Sequence, residues 1–401
     1  MRKAFLLGIT LSYLFALQLS AQTTIRNFIF GHSLINHEFQ VNPTPSQETS
    51  VPHWFHFLAE EAGVSYAVSG QYGFLPQHQN LPPISQWGFD VVAPVWESDT
   101  EPFSAADFTD ILITPGNFIQ WQGPDQEYPA DPGITPLSAT QRVFEWCDGQ
   151  EEGLNFYVYE NWPDMAPFLS NGFPPSASEW EAYNAELNGP FHSWFLSYHD
   201  ALVSANPDLC ISMIPVGPVL STILTQEPFN QIPITDLFED DAPHGRASLY
   251  FLAAMITYSA MVGEPVPAGY SPPSIINSII RENYESAGTI IWESLNDFTD
   301  EEGNLKAFCQ NLNTSTELEE THSPTTIYPN PASNKLFVET EYTNLHFQLR
   351  NMLGQEMGVK VRLEGDRYGL DLQALPMGMY QLTAQDNEGK LVLSEKVIKR
   401  F

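Results

Sequence analysis

The stretch Asp-Ile-Leu-Ile-Thr at residues 110–114 indicates the fold class of this 401-residue chain. Its three central residues are apolar, and two of them are β-branched. A strand with one face in water alternates apolar and polar side chains, whereas a strand covered on both faces is apolar throughout. We therefore predict a strand here that lies inside a parallel sheet.

Strand and helix patterns alternate on both sides of this stretch. Helix 51–62 has Ser50 as its N-cap, Pro52 in its first turn and Gly63 as its stop. This alternation predicts a mostly parallel sheet in a three-layer α/β/α domain, with the site in the loops at the strand ends. The other predicted strands are 25–30, 64–68, 154–159 and 210–215; the other predicted helices are 138–146, 178–204 (opened by a capping box at Ser178–Glu181), 246–262 and 273–287; the long loops are 35–49, 75–105 and 122–136.

The first 21 residues have the pattern of a secretory signal peptide. Arg2 and Lys3 form a basic start, an apolar run extends from Ala4 to Leu19, and a small residue, Ala21, stands at a cleavage position. A membrane anchor is the alternative, but the run is short for a bilayer and no basic cluster follows it. We expect the chain to be exported and residues 1–21 to be removed.

The sequence changes character near residue 320. Residues 311–326 are polar and without periodicity, which is typical of a linker. Short alternating strands separated by turn residues then follow and predict a small antiparallel β-sandwich over residues 327–401. The predicted organisation is thus a signal peptide (1–21), an α/β domain (22–310), a linker (311–326) and a β-sandwich (327–401).

Four motifs of the last 75 residues resemble the C-terminal sorting domain of type IX secretion cargo in Bacteroidota. The resemblance implies recognition by the secretion machinery of the outer membrane, and a secreted or surface-attached product that passes through the periplasm. An unrelated binding sandwich is the alternative. The motifs are Ile-Tyr-Pro-Asn-Pro-Ala (327–332), Leu-Arg-Asn-Met-Leu-Gly-Gln (349–355), Leu-Pro-Met-Gly-Met-Tyr (375–380) and Lys-Val-Ile-Lys (396–399).

The net charge of −33 is concentrated in the central part of the chain. Residues 22–326 hold five basic and 40 acidic residues, whereas residues 327–401 hold nine of each. So acidic a domain disfavours nucleic acid or an anionic membrane as a partner. It suits a neutral substrate, although acidity also keeps an exported protein soluble.

Metal and cofactor sites are not expected. The three cysteines, Cys147, Cys210 and Cys309, are isolated from one another, and no metal-type spacing or phosphate-binding glycine loop occurs. At most one disulfide can form. Cys147 and Cys210 stand in apolar contexts, so we expect both to be buried free thiols.

Two short segments could together form a nucleophilic site. Gly-His-Ser-Leu at 31–34 directly follows the first strand, and Asp-Ala-Pro-His at 241–244 lies far downstream. A serine hydroxyl needs a general base, and a histidine base needs an acceptor on its other nitrogen. In this order and in an α/β context, the segments resemble the SGNH (GDSL-like) hydrolases. The resemblance implies a Ser33 nucleophile, a His244 base and an Asp241 partner, with Asp240 as a solvated neighbour.

The same resemblance implies an oxyanion hole. Its donors would be the Ser33 amide, the Gly73 amide after the second strand, with Gly70 in the turn, and the Asn117 side chain after the third strand. The chain departs from the family pattern at Pro115, where a glycine is expected, and at His32, where an aspartate is expected. Possible substrate-binding residues are His32, Glu160 and Trp162; a structural role is the alternative for His32, and core or loop packing is the alternative for Trp162.

These features predict an exported serine ester hydrolase. A carbohydrate acetylesterase acting on extracellular polysaccharide is the leading interpretation, by association with export, acidity and aromatic loops. A short-chain esterase or lipase-like hydrolase acting on a small ester is one alternative. A non-catalytic carbohydrate-binding protein on a hydrolase-like scaffold is another, and it is disfavoured by the complete set of candidate catalytic residues.

Overall fold

A five-stranded parallel sheet forms the centre of the first unit of the protein. In the computed structural model the strands lie in the order β2-β1-β3-β4-β5, and all neighbouring pairs are parallel. All four residues of β3 are buried, as predicted for a strand covered on both faces. The strands are β1 (Thr24–Gly31), β2 (Ser65–Tyr72), β3 (Asp110–Ile113), β4 (Asn155–Tyr159) and β5 (Cys210–Ile214).

The structure describes two units, divided between Leu312 and Asn313. The predicted signal peptide and nearly all of the predicted linker lie outside the described residues. The described ranges are 23–37, 46–89, 91–116, 122–300 and 303–309 in the first unit, and 326–330, 332–340, 342, 345–351, 356–365, 367–376, 378–385 and 391–400 in the second.

Helices cover both faces of the sheet, which confirms the predicted three-layer α/β/α architecture. On β1, Ile25 and Ile29 point into the core that holds α1, α6, α8 and α10, whereas Phe28 and Phe30 point into the core that holds α3 and α5. The helices are α1 (Val51–Ala62), α2 (Leu75–His78), α3 (Pro136–Asp148), α4 (Ala177–Glu186), α5 (His192–Ala205), α6 (Val216–Leu224), α7 (Ile234–Leu237), α8 (Ala247–Val262), α9 (Ser278–Glu282) and α10 (Tyr284–Asp297).

Four details of the helices differ from the sequence-based predictions. The helix predicted over 273–287 is observed as two helices, α9 and α10, which begin at Ser278 and end at Asp297. The capping box before α4 is formed by Ser176 and Glu179, two residues earlier than predicted. The helix predicted over 178–204 is interrupted by a π-helical turn at Leu187–Phe191, where Gly189 leaves the helical backbone conformation. Helix α6 was not predicted, because it is short and almost wholly buried and therefore lacks a polar face.

Cys210 forms a disulfide with Cys309, which corrects the expectation that Cys210 is a free thiol. The bond ties the segment around Lys306 to the edge of the sheet, where Met213 N–H also donates to the Lys306 carbonyl over 2.9 Å. The partners are 99 residues apart, so their sequence contexts could not reveal the pairing. Cys147 is buried and free, as predicted.

The second unit is an antiparallel β-sandwich of two four-stranded sheets. Leu336, Leu370, Leu349 and Leu382 come from both sheets and share one core. The strands are β6 (Thr326–Tyr328), β7 (Lys335–Glu339), β8 (His346–Asn351), β9 (Glu356–Met357), β10 (Lys360–Glu364), β11 (Arg367–Asp371), β12 (Gly378–Gln385) and β13 (Leu391–Lys399), in the orders β10-β11-β7-β6 and β13-β12-β8-β9. Across the described parts of both units, none of the helices has the length and apolar character needed to cross a membrane.

The disulfide generates a stability prediction. Replacing Cys210 and Cys309 by alanine should lower the free energy of unfolding by about 2–4 kcal/mol, because the bond restricts a long loop of the unfolded chain. For a unit of this size, the thermal midpoint should fall by about 5–10 °C. Calorimetry with and without a thiol reductant provides the control: reductant should lower the midpoint of the natural protein and leave that of the double variant unchanged.

Candidate active site

Ser33 lies in a tight turn at the carboxyl end of β1. The His32 carbonyl accepts hydrogen bonds from Ile35 N–H (2.9 Å) and Asn36 N–H (3.3 Å). The hydroxyl of Tyr250, on α8, donates to the Ser33 carbonyl over 2.5 Å. The turn therefore presents the Ser33 hydroxyl at the end of the sheet where parallel α/β proteins bind ligands.

The His244 ring lies between Ser33 and an aspartate. Its Nε2 is 3.0 Å from Ser33 Oγ, and its Nδ1 is 2.8 Å from Asp240 Oδ2. One ring nitrogen thus faces the nucleophile and the other faces a carboxylate. This arrangement can draw a proton from the serine and stabilise the imidazolium that results.

The aspartate that contacts His244 is Asp240, which corrects the prediction of Asp241. Asp240 Oδ1 accepts hydrogen bonds from Ala242 N–H (3.1 Å) and His244 N–H (3.0 Å), so that Oδ2 is directed at the ring. The backbone carbonyl of Asp241 accepts from Met165 N–H (3.0 Å) and Ala166 N–H (3.1 Å). An aspartate bonded to the N–H two residues later is an Asx turn. That local preference is the signal in the sequence that could have identified Asp240.

The surroundings of Asp240 have opposing effects on the pKa of its carboxyl group. Partial burial alone would raise the pKa of Asp240, but the hydrogen bonds from the side chain and backbone of His244 outweigh this effect and hold the pKa below its usual value. Asp240 therefore remains ionised beside His244 at neutral pH.

Trp162 does not line the Ser33 site, in contrast to the possible substrate-binding role predicted for it. Its side chain is 1% exposed, and its indole N–H donates to the Pro243 carbonyl over 2.9 Å. It also meets the Tyr250 ring edge-on. Trp162 therefore supports the loop that carries His244, and its burial removes it from contact with substrate.

Glu160 and His32 are also buried, which corrects their predicted place in the substrate site. Glu160 is paired with His192, whose Nδ1 is 2.9 Å from Oε1, and burial raises the pKa of Glu160 to about 7. His32 Nδ1 accepts from Leu34 N–H over 3.3 Å, and burial lowers the pKa of His32 to about 3. His32 is therefore neutral, and it supports the Ser33 turn through this hydrogen bond. The sequence could not distinguish a substrate-binding residue from a supporting one, because polar residues that follow strands occur in both roles.

One of the three oxyanion donors implied by the resemblance, the Gly73 amide, is engaged elsewhere. Gly73 N–H donates to the Gly31 carbonyl over 2.8 Å, so Gly73 joins two strand ends and its amide is engaged. Gly70 lies within β2 and not in a turn. Asn117 lies outside the described residues. Among the described residues, none accepts a hydrogen bond from Ser33 N–H, which leaves that amide available.

A pocket of about 360 Å³ opens beside Ser33 and His244. We call it the Ser33 pocket; its other lining residues are Asn36, His37, Tyr72, Gln86 and Trp87. Trp87 can pack here because the neighbouring strands carry glycines: a Cβ on Gly70 would lie 2.6 Å from the Trp87 ring.

His37 stacks directly on the catalytic candidate His244. The ring centroids are 3.7 Å apart and the planes differ by 7°. His37 N–H donates to the Thr49 carbonyl over 3.0 Å, and the Thr49 hydroxyl donates back to the His37 carbonyl over 2.9 Å. Burial and the neighbouring His244 lower the pKa of His37 to about 4, so the ring is neutral when it contacts His244. Within the described residues, no group of three or more His, Cys, Asp or Glu side chains is arranged to hold a metal ion.

Comparison with known proteins confirms the predicted sorting domain. Residues 326–400 match the family model of the secretion system C-terminal sorting domain. The chain is therefore a secreted protein whose tail directs it to the secretion machinery and the cell surface. The first unit is a three-layer α/β domain in which Ser33, His244 and Asp240 are hydrogen-bonded in series at the carboxyl end of the sheet.

Several solved structures are similar to the chain. They include a DUF4886 family protein from Bacteroides uniformis (14% identity, 70% of this chain and 97% of that one, TM-score 0.42) and a family 3 carbohydrate esterase from Clostridium thermocellum (12% identity, 59% and 94%, TM-score 0.35). A carbohydrate acetylesterase from Xanthomonas citri is 8% identical over 93% of this chain and 80% of that one, with a TM-score of 0.28. No curated protein was found to match the sequence. The function proposed below therefore rests on the side chains of the chain itself.

The Asp240 hydrogen bond generates a paired prediction. Asp240→Asn should lower kcat on an ester substrate by about 10²- to 10⁴-fold, because an amide cannot stabilise the imidazolium. Asp241→Asn should leave kcat within about threefold, because Asp241 is held through its backbone carbonyl. Steady-state kinetics of the two folded variants would measure both effects. Equal losses in the two variants, or a loss in Asp241→Asn alone, would contradict the assignment.

Proposed function

We propose that this exported protein hydrolyses carboxylic esters through Ser33, His244 and Asp240. The observation that supports the proposal is the continuous hydrogen-bonded chain from Ser33 Oγ through both His244 nitrogens to Asp240, with distances of 3.0 and 2.8 Å. Such a chain activates a hydroxyl that is otherwise a poor nucleophile. Its position at the mouth of a pocket gives the nucleophile access to substrate.

The proposed reaction has two halves. Ser33 Oγ attacks the ester carbonyl while His244 Nε2 takes the hydroxyl proton, and Asp240 stabilises the charged ring. The tetrahedral intermediate collapses, its C–O bond to the alcohol breaks, and His244 returns the proton to the leaving alcohol. Water then attacks the acyl-serine with His244 again as base, which releases the acid and restores Ser33.

The developing oxyanion needs donors that are already in place. We assign one donor to the Ser33 amide and retain the Asn117 side chain as a second, as the resemblance implies. Gln86 is a further candidate, because it lines the Ser33 pocket, its Oε1 accepts from Tyr72 N–H over 3.0 Å, and its NH₂ group donates to none of the described residues.

We further propose that the acyl group is short and that the alcohol belongs to a polysaccharide. The Ser33 pocket has a volume of only about 360 Å³, and its described lining includes no aliphatic side chain, which favours a short acyl group. Tyr72, at the rim, is 48% exposed, and a flat aromatic surface suits the face of a sugar ring. Secretion and the acidic character of the first unit favour a neutral extracellular glycan.

Ser33→Ala provides the direct test of catalysis. The variant should lose at least about 10³-fold in kcat on p-nitrophenyl acetate, because the covalent route is removed. Full-length protein and variant should be compared by initial rates, with circular dichroism as the control for folding. An unchanged rate would exclude the mechanism. Faster turnover of octanoate than of acetate esters would instead favour the lipase-like alternative.

The stack of His37 on His244 generates a separate prediction. His37→Ala should lower kcat by about 3- to 10-fold with little change in KM, because aromatic contacts of this kind contribute about 0.5–1.5 kcal/mol to holding a ring in place. His37→Phe retains a flat ring and should remain within about threefold of the natural protein. The positioning role would be contradicted if the two variants lost the same activity or if only KM changed.

A further inference from the structure

A second pocket, of about 630 Å³, lies next to the Ser33 pocket and is not used by the proposed chemistry. We call it the Phe74 pocket. Its lining is mostly aromatic and amide side chains, with Phe74, Gln77, Asn80, Gln126, Tyr128 and Asp131 among its members.

The two pockets are neighbours across one aromatic ridge. Tyr72 lines the Ser33 pocket and Phe74 lines the second pocket, and their ring centroids are 6.4 Å apart. The Phe74 ring also stacks on His32, the residue before Ser33, at 5.4 Å. A ligand long enough to cross Tyr72 could therefore occupy both pockets at once.

Several polar groups of the Phe74 pocket have unused hydrogen-bonding capacity. Gln77 Oε1 accepts from Phe74 N–H over 2.8 Å, and its NH₂ group donates to none of the described residues. The Asn80 side chain is exposed and bonds to none of the described residues. Tyr128 is 6% exposed, and its buried hydroxyl has no partner in the described part of the chain. Amide groups beside aromatic surfaces match the hydroxyls and apolar faces of a sugar.

The charge of the pocket limits the class of ligand. Asp131 contributes a carboxylate, and none of the described lining residues is Lys, Arg or His. An anionic sugar would therefore find repulsion and no counter-charge. The first unit as a whole has a large excess of acidic residues, and this charge also disfavours an anionic ligand.

We propose that the Phe74 pocket is a distal subsite for a neutral pyranose of the polysaccharide whose ester is presented to Ser33. The inference rests on the proposed function, because it takes the substrate to be a glycan. Asn80 and Gln77 would bind sugar hydroxyls, and Tyr72 would support the ring between the two sites. The subsite would then determine specificity for oligosaccharides over small esters.

Asn80→Ala tests the subsite by kinetics. On acetylated xylo-oligosaccharide, kcat/KM should fall about fivefold, the size expected from one lost hydrogen bond. On p-nitrophenyl acetate, which is too small to reach the Phe74 pocket, the rate should not change. Gln226→Ala is the matched control, since Gln226 is an exposed amide just beyond α6, which follows the opposite edge strand of the sheet. Equal kinetics of Asn80→Ala and Gln226→Ala on both substrates would overturn the subsite.

Binding to an inactive chain separates failure of the subsite from failure of the proposed chemistry. Full-length Ser33→Ala should bind xylohexaose or mannohexaose in a calorimeter, and adding Asn80→Ala should weaken that binding about fivefold. Tetragalacturonate should bind more weakly than the neutral probes. No binding of either neutral probe, or equal binding of the anionic one, would overturn the inference, whereas p-nitrophenyl acetate hydrolysis retained by Ser33→Ala would overturn only the catalytic assignment.

Discussion

The carboxylate of Asp240 is the constraint on which the geometry of the site depends. One oxygen holds the backbone of its own loop through two N–H groups, and the other holds the ring of His244. Because the same side chain shapes the loop and orients the base, local folding and candidate catalytic geometry cannot be separated here. Hydrogen bonds to an ionised carboxylate are stronger than those between neutral groups, and several of them on one side chain reinforce one another.

A shell of buried aromatic and imidazole side chains keeps this arrangement in place. Trp162 bonds to the Pro243 carbonyl in the His244 loop, Tyr250 bonds to the Ser33 carbonyl, and His32 accepts from Leu34 N–H. Each of these residues is buried; Tyr250 holds the backbone of Ser33 itself, whereas Trp162 and His32 hold the residues next to His244 and Ser33. The chain thus places its polar residues in two layers, one that faces the pocket and one that supports it. Preorganisation of this kind reduces the rearrangement needed when charge develops.

The two units differ in chemistry as well as in fold. The first is strongly acidic and contains both pockets, whereas the second is balanced in charge and matches the sorting domain. Secretion places the first unit in contact with material outside the cell. An acidic surface repels anions, which is why a neutral substrate is part of the function that we propose.

The sequence alone was sufficient for the layered architecture and the C-terminal sandwich, and the resemblance to SGNH hydrolases singled out Ser33 and His244, whose side chains lie 3.0 Å apart. Periodicity and turn residues are local signals, and both the strand before Ser33 and the helix after Ser50 carry them. The sequence could not decide between Asp240 and Asp241, nor assign Trp162 and Glu160 to the supporting layer, nor pair Cys210 with Cys309. Those outcomes depend on which groups meet across distances of up to about a hundred residues and on which side chains the packed core removes from water. Only the tertiary structure decides such contacts, because burial and hydrogen-bond geometry are properties of the assembled fold and not of any segment within it.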